Sequence, residues 1–252
     1  MDDTNLAPAT DIPAVEFSHV GMTYAERAVI KDISLAIAQG EFVTIIGSSG
    51  CGKTTLLKMV NGLVTPTTGD VLVEGANIRD QDLIRLRRSM GYAIQGSVLF
   101  PHMTVGQNIA YVPSLWNGSD HERTRHAVRK WMGIVGLDDD LLDRYPSELS
   151  GGQAQRVGIA RALAASPRIL LMDEPFGAVD QITREQLQVE LRRIYDETGI
   201  TVLFVTHDIR EATRLATRVL VMDGGRVEQY APPREVLDHP ATDFVTRLVG
   251  KA

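Results

Sequence analysis

The stretch GSSGCGKT at residues 47–54 fits the spacing G-x-x-x-x-G-K-[ST] at Gly47, Gly52, Lys53 and Thr54. This combination suits phosphate. Backbone freed of side chains at Gly47, Gly50 and Gly52 lets N–H groups close around phosphate oxygens, with Ser48, Ser49, Cys51 and Thr55 completing the loop. Lys53 neutralises charge on the β- and γ-phosphates, and the Thr54 hydroxyl is a ligand for Mg²⁺. A strand pattern precedes the loop and a helix pattern follows it, so a helix N-terminus adds its positive dipole end. The alternative is a plain glycine-rich turn, which that context disfavours.

A phosphate cradle needs an acid to hold the metal. RILLMDE supplies one, an apolar strand running into Asp173, the expected Mg²⁺ ligand, and Glu174, placed to polarise an attacking water. Alone, paired acids at a strand end also suit a helix cap or a solvated turn. ITVLFVTHD brings a second apolar strand to its end at His207. In open α/β sheets ligands sit beyond the carboxyl ends of strands. That makes His207 a candidate γ-phosphate contact, against the plainer reading of a structural histidine. Asp208 and Glu211 have the D-x-x-E spacing of a capping box for the helix IREATRLA. The cap explains Asp208 and leaves His207 unexplained.

ELSGGQAQR, at 148–156, sets a second pair of glycines at the start of another helix. Ser150 as N-cap and Gln153 three residues on form a capping box. A cap does not require Gly151 and Gly152 in succession, since glycine costs roughly 0.8–1 kcal/mol in a helix interior. The glycines leave bare N–H donors at the positive end of the helix dipole, a second phosphate site. One chain needs one cradle per nucleotide. The economical reading is that this loop serves a nucleotide held by another copy, so that two chains sandwich two ATP.

Strand patterns cover residues 15–46, including AVEFSHVGMTY and EFVTIIG, and a helix is predicted over Lys53–Asn61, ending near Gly62. TGDVLVEG reads as a strand, DLIRLRRSM as a helix and GYAIQ as a strand. From about 97 to 165 the pattern is helical, through TVGQNIAYV, DHERTRHAVRKWMGIVG and GGQAQRVGIARALAAS. Strand patterns return with RILLMDE, ITVLFVTHD and RVLVMDGGRVEQY. Between the first two, REQLQVELRRIYDET places Leu187, Leu191 and Ile194 on one helix face and stops at Gly199. PPREVLDHPATDFVTRLVG closes the chain as a short helical tail. Strands alternating with helices predict a parallel α/β sheet carrying a helical insertion.

The 252 residues carry 26 Lys and Arg against 32 Asp and Glu, a net charge of −6 that argues against sequence-independent nucleic-acid binding. No apolar run approaches the roughly 18 residues needed to cross a membrane. MDDTNLAPATDIP lacks the basic and apolar regions of a secretory signal. The single cysteine, Cys51, fits a reducing compartment and excludes an intrachain disulfide. A helix N-terminus and nearby Lys53 favour its thiolate; alternatively it is an inert small residue facing the sheet. The basic clusters RLRR at 85–88 and RHAVRK at 125–130 read as solvated helix faces.

LSGGQ at 149–153, taken with the phosphate loop, LLMDEP and the strand-end histidine in this order, resembles the ATP-binding subunits of ABC transporters over nearly the whole chain. The resemblance implies an α/β fold: a P-loop NTPase (RecA-like) core with an N-terminal antiparallel β subdomain and an inserted α-helical signature subdomain. It implies a flexible tail at 1–13, an ATPase domain at 14–225 with its helical subdomain at about 97–165, and a C-terminal strand and helical tail at 226–252. Ser150, Gly151, Gly152 and Gln153 are then nucleotide-binding. Tyr24 stands where the family stacks an aromatic on adenine, or is a core strand tyrosine. Gln95 matches a glutamine that senses Mg²⁺, takes part in catalysis and links to the membrane partner; the plainer reading is a polar strand end. GAVD at 177–180 matches the loop that contacts the opposite subunit, with Asp180 its acid and Val179 where the family usually has leucine. His102 lies where importers of this family meet their permease, and a surface loop explains it equally well.

LFPHMTVGQNIAYVPSLWNGS, DRYPSELSGGQ and DEPFGAVDQITREQLQ look like the osmoprotectant branch of importers, which takes up glycine betaine, choline and carnitine. Gly96 and Ala154 depart from the glutamines frequent there. Many members append a paired regulatory module, for which no room is expected after Ala252. The leading expectation is an energy-coupling ATPase on the cytoplasmic face of the cell membrane. It would bind ATP and Mg²⁺, pair with a second copy, and dock on a separate integral-membrane permease served by an extracytoplasmic substrate-binding protein. Rivals are importers for an amino acid, sulfonate or polyamine, an exporter, and a soluble ABC ATPase acting on nucleic acid or ribosomes. The last usually carries tandem halves, coiled-coil inserts or basic extensions, none of which is present.

Overall fold

The computed structural model describes residues 12–94, 99–118 and 120–250. Two sheets carry the site. The first is antiparallel, in the order β2-β1-β4-β5, built from β1 (Val15–Tyr24), β2 (Arg27–Ile37), β4 (Thr68–Val73) and β5 (Ala76–Asn77). The second has six strands ordered β10-β9-β3-β8-β7-β6, from β3 (Phe42–Gly47), β6 (Met90–Ala93), β7 (Ile169–Asp173), β8 (Thr201–Val205), β9 (Arg218–Asp223) and β10 (Arg226–Ala231). Its pairings are parallel except β10 with β9. The α/β fold with an antiparallel β unit and helical insertions, expected from the sequence, is the fold observed.

The parallel strands are apolar on both faces because both are covered. Val202 and Phe204 of β8 and Leu170 and Met172 of β7 point into a core shared with the inserted helices. Their neighbours Leu203, Val205, Ile169 and Leu171 point into a core shared with the antiparallel sheet and with α1 (Lys53–Val60). At roughly 1.5–3 kcal/mol for each large apolar side chain buried, this two-sided packing makes the strand ends a rigid platform. After α2 (Leu83–Ser89), the insertion consists of α3 (Val105–Asn117), α4 (His121–Ile134) and α5 (Gly151–Leu163). α6 (Gln181–Thr198) buries Leu187, Leu191 and Ile194 and stops at left-handed Gly199, as its pattern predicts.

RVLVMDGGRVEQY forms a two-stranded hairpin: Gly224 and Gly225 both have positive φ (51° and 83°), the geometry that turns β9 back into β10. One reading changes. The cluster at 85–88 is more than a solvated face, because Arg87 donates to the carbonyls of Asn61 and Gly62 at 3.0 and 2.8 Å and so caps the C-terminal end of α1. α7 (Ile209–Leu215), which precedes β9, and α8 (Pro233–Asp238) and α9 (Asp243–Val249), which follow β10, share a third core with β9. No helix among the described residues is long and apolar enough to cross a membrane.

Candidate nucleotide-binding site

β3 delivers its last residue, Gly47, against the end of β9. A Cβ at Gly47 would overlap the carbonyl oxygen of Met222, and φ there is +150°, so only glycine fits. Gly52, at φ +103°, opens α1 with no side-chain cap, leaving the first N–H groups of that helix to the loop. Lys53 turns back over the loop and donates to the carbonyls of Gly47 and Ser48 at 3.0 and 2.8 Å. The Ser48 hydroxyl donates to Asp223 at 2.5 Å, tying the loop to β9. Cys51 is 3% exposed and packs in the core beneath the loop, its Sγ 3.9 Å from Lys53 Nζ. The placement matches the small residue facing the sheet, and leaves only the main chain of Cys51 for the loop.

Next to the loop lies a cleft of about 640 Å³. Its walls are Gly47, Ser49, Gly50, Gly52, Lys53, Thr54 and Thr55 of the loop and α1, Glu174 and His207 from the ends of β7 and β8, and Tyr24, Arg27 and Val29 from the antiparallel sheet. The structure thus brings together most of the predicted phosphate-binding set, with Tyr24 lining the same cleft and 45% exposed. Arg27 and Val29 were not legible in the sequence. Antiparallel pairing sets Arg27 opposite Tyr24 across a tight turn, and no motif marks that register.

Asp173 is buried at the end of β7 and accepts a hydrogen bond from Thr54 Oγ1 at 3.0 Å. Burial holds its carboxyl above the usual carboxylate range and the charge of Glu174 adds to this, while the Thr54 hydrogen bond and Lys58 and Lys53 pull it back. A hydroxyl and a carboxylate side by side are the hard oxygen donors that Mg²⁺ takes alongside substrate phosphates. Among the described residues no three His, Cys, Asp or Glu side chains gather into a metal cage, so most of the shell of a cation held by this pair would be left to water or phosphate oxygens. Glu174 sits at φ +47°, left-handed and uncommon for a residue with a side chain. Its N–H donates to the Val205 carbonyl at 3.0 Å, and its carboxylate lies 3.7 Å from Nδ1 of His207, whose side chain is largely exposed.

The predicted capping box at Asp208 and Glu211 does not form. Asp208 caps Arg210, but Glu211 turns inward, 7% exposed, to accept from Thr206 Oγ1 at 2.6 Å and Gln188 Nε2 at 3.1 Å. A buried carboxylate gains more from two side-chain donors than from one N–H at a wet helix end. The capping box at Ser150 and Gln153 is present in both directions, at 3.2 and 2.9 Å. Gly151 is exposed, with nothing within 4 Å of the place a Cβ would take. None of Ser150, Gly151, Gly152 and Gln153 lines the cleft, and neither does Asp180, which caps α6 through the Thr183 N–H at 3.0 Å. Within one chain the two glycine loops therefore serve different surfaces. Gln95 lies outside the described residues. His102 is exposed on the turn before α3.

The ABC transporter family model matches residues 30–177. The carnitine transport ATP-binding protein OpuCA of Listeria monocytogenes is 47% identical over 94% of this chain and 60% of its own length. The glycine betaine uptake system ATP-binding protein YehX of Escherichia coli (strain K12) is 48% identical over 94% of this chain and 77% of its own length. The chain spans about three fifths of the length of several of the curated relatives it matches. Among solved structures, a dimeric bacterial ABC transporter cassette superposes with a TM-score of 0.82 at 35% identity, covering 87% of this chain and 99% of that one. A dimeric post-hydrolysis ATP-binding cassette bound to ADP and Pi superposes with a TM-score of 0.81 at 34% identity, over the same shares of the two chains. With its phosphate loop, strand-end acids and capped SGGQ helix in one cassette fold, the chain belongs to the ABC transporter family, whose ATPase cassette it forms.

Proposed function

We propose that this chain is the ATP-hydrolysing, energy-coupling subunit of an importer for quaternary-amine osmoprotectants such as glycine betaine, choline or carnitine. It works as a pair of copies closed around two ATP, peripheral on the cytoplasmic face of the membrane. There it drives a separate membrane permease that an extracytoplasmic binding protein supplies. The observation that carries the two-copy reading is the separation of the loops: the cleft holds Lys53, Glu174 and His207 but no residue of the SGGQ helix, whose N-terminus stands bare on another surface. The curated relatives named for carnitine, choline and glycine betaine transport support the solute class.

In this reading Tyr24 stacks on the adenine, the loop N–H groups and Lys53 hold the phosphates, and Glu174 orients a water for in-line attack on the γ-phosphorus. His207, within reach of Glu174, contacts the γ-phosphate and keeps the water site closed. Catalysis here is positioning plus charge stabilisation. Thr54, Asp173 and Gln95 are the residues that would hold Mg²⁺, which spreads the charge developing on the phosphates. Ser150, Gly151, Gly152, Gln153 and Asp180 complete the partner's site.

The test is uptake of labelled glycine betaine, choline and carnitine by cells from which this chain has been deleted, at high external osmolarity. Loss of that uptake, restored by the wild-type chain and not by Lys53→Ala, is the expected result. Unchanged uptake overturns the solute class and turns attention to another importer. That second reading has its own support, because sulfate/thiosulfate import ATP-binding proteins are 42–43% identical over 94% of this chain.

A further inference from the structure

Five residues past Ser150, on the buried side of the SGGQ helix, Gln155 is 4% exposed and uses both ends of its amide. Its Nε2 donates to the main-chain carbonyl of Glu174 at 3.2 Å, and its Oε1 accepts the main-chain N–H of Ala178 at 2.7 Å. A carbonyl can only accept and an N–H can only donate, so the two partners fix which end of the amide is which. We infer that Gln155 is a positioning residue for ATP hydrolysis: it clamps the backbone that aims the Glu174 carboxylate, and joins that backbone to the helix carrying the SGGQ loop.

Glu174 needs such a clamp. Its left-handed backbone, φ +47°, persists only where the surroundings over-determine it. On one side its N–H is held by Val205 of β8 at 3.0 Å. On the other its carbonyl takes the Gln155 amide and the N–H of Gly177, at 3.2 Å each. The carboxylate between these anchors faces Lys53, Thr54 and His207 across the cleft. The other end of the Gln155 amide fixes Ala178, and the next carbonyl, Val179, is taken by Arg184 Nη2 at 3.3 Å. The loop leading to Asp180 is therefore gripped from α5 and from α6. One buried amide thus sets the acid and the 177–180 loop relative to a helix whose N-terminus belongs to a different surface. A shift of that helix moves the Glu174 carbonyl directly, without passing through the phosphate loop.

The inference rests on Glu174 being the water-orienting carboxylate, and the experiment separates the two ideas. Gln155→Met keeps the volume and removes both hydrogen bonds. Its kcat for ATP should fall ~10- to 100-fold, the range a displacement of about 1 Å produces, with KM for ATP within about twofold, because the phosphate loop is untouched. In a Glu174→Gln background, where single-turnover hydrolysis of labelled ATP reads the residual rate, adding Gln155→Met should lower it less than twofold, since a residue acting through Glu174 has nothing left to position. Should Gln155→Met not fold, Gln155→Glu keeps the shape and the acceptor for Ala178, and should show the same split of kcat from KM. Wild-type kcat in a folded Gln155 variant, an additive loss on the Glu174→Gln background, or equal losses of ATP and ADP binding each overturn the inference. A wild-type rate in Glu174→Gln alone overturns the carboxylate reading, and the inference with it.

Discussion

Thr54 Oγ1 and Asp173 Oδ1 are 3.0 Å apart, a hydrogen bond that ties the first turn of α1 to the end of β7 across 119 residues of sequence. The same two oxygens are the donors assigned to Mg²⁺. Asp173→Asn keeps the shape and the partner but removes the charge that draws a divalent cation. The Mg²⁺ concentration for half-maximal ATPase activity should rise at least ~10-fold, the scale on which changes at metal sites act. Binding of ADP without Mg²⁺, followed by calorimetry, should stay within about twofold. An unchanged Mg²⁺ requirement would move the cation elsewhere.

Tyr92 on β6 tests the core beside the site. Its hydroxyl is buried without a hydrogen-bond partner among the described residues, and burial together with the Asp173 charge pushes its pKa up to about 12 from 10.0. The sign follows directly. Below pH 10 the phenol is protonated in both states and costs nothing electrostatically. From pH 10 to about 12 the unfolded chain ionises it while the folded chain keeps the proton, so stability is lost as pH rises. Tyr92→Phe should leave stability at pH 7 unchanged or raise it by about 1 kcal/mol, by removing an unsatisfied hydroxyl. It should also flatten the fall in melting temperature between pH 10 and 12. A variant that melts lower at pH 7 would show that the hydroxyl has a partner.

The parts of the site with fixed spacing are legible in the amino-acid sequence alone. A phosphate loop is local, so its chemistry and its geometry lie within eight residues, and the acids and the histidine announce themselves as polar residues ending apolar strands. What stays hidden depends on register between distant segments. Arg27 lines the cleft only because β1 and β2 pair so that Tyr24 faces it. Ser48 is held by Asp223, 175 residues away, which reads in the sequence as nothing more than a turn residue before two glycines. Glu211 fits a capping box by spacing, and no local pattern signals that Thr206 and Gln188 offer it buried donors instead.

His207 offers a test of role against fold. Its side chain is largely exposed, and the backbone beside it is pinned through Thr206, which donates to Glu211 at 2.6 Å and accepts from the Asp208 N–H at 3.1 Å. His207→Ala should therefore melt within a few degrees of wild type, since surface substitutions usually stay within about 0.5 kcal/mol. ATP binding should hold while hydrolysis falls ~10²-fold or more, the size of effect for losing one transition-state contact. Glu211→Ala should act oppositely, lowering stability by about 1–3 kcal/mol as buried donors lose their acceptor. Equal loss of ATP and ADP binding in His207→Ala would assign the histidine a structural role.

The two-copy arrangement makes the sharpest prediction, because it assigns one residue to each side of a shared site. Glu174→Gln keeps size and hydrogen bonding but removes the basicity that orients water, so hydrolysis should fall ~10²–10⁴-fold while ATP affinity holds. ATP that is bound and not hydrolysed should then keep two copies together, seen as an ATP-dependent shift from monomer to dimer by size exclusion. Ser150→Arg in that background places a bulky cation at the bare helix N-terminus, where Gly151 now leaves open space. It loses the cap on Gln153, at a cost of about 1 kcal/mol, but touches nothing in the chain's own cleft. Binding of ATP to the monomer should therefore stay within about twofold, and the dimer should disappear. Mixing Ser150→Arg chains that keep Glu174 with Lys53→Ala chains should restore one intact composite site per pair, and with it part of the ATPase activity that each variant lacks alone. If Ser150→Arg weakens ATP binding to the monomer as much as it weakens dimerisation, the SGGQ loop serves its own chain's nucleotide, and the separation of the two loops needs another explanation.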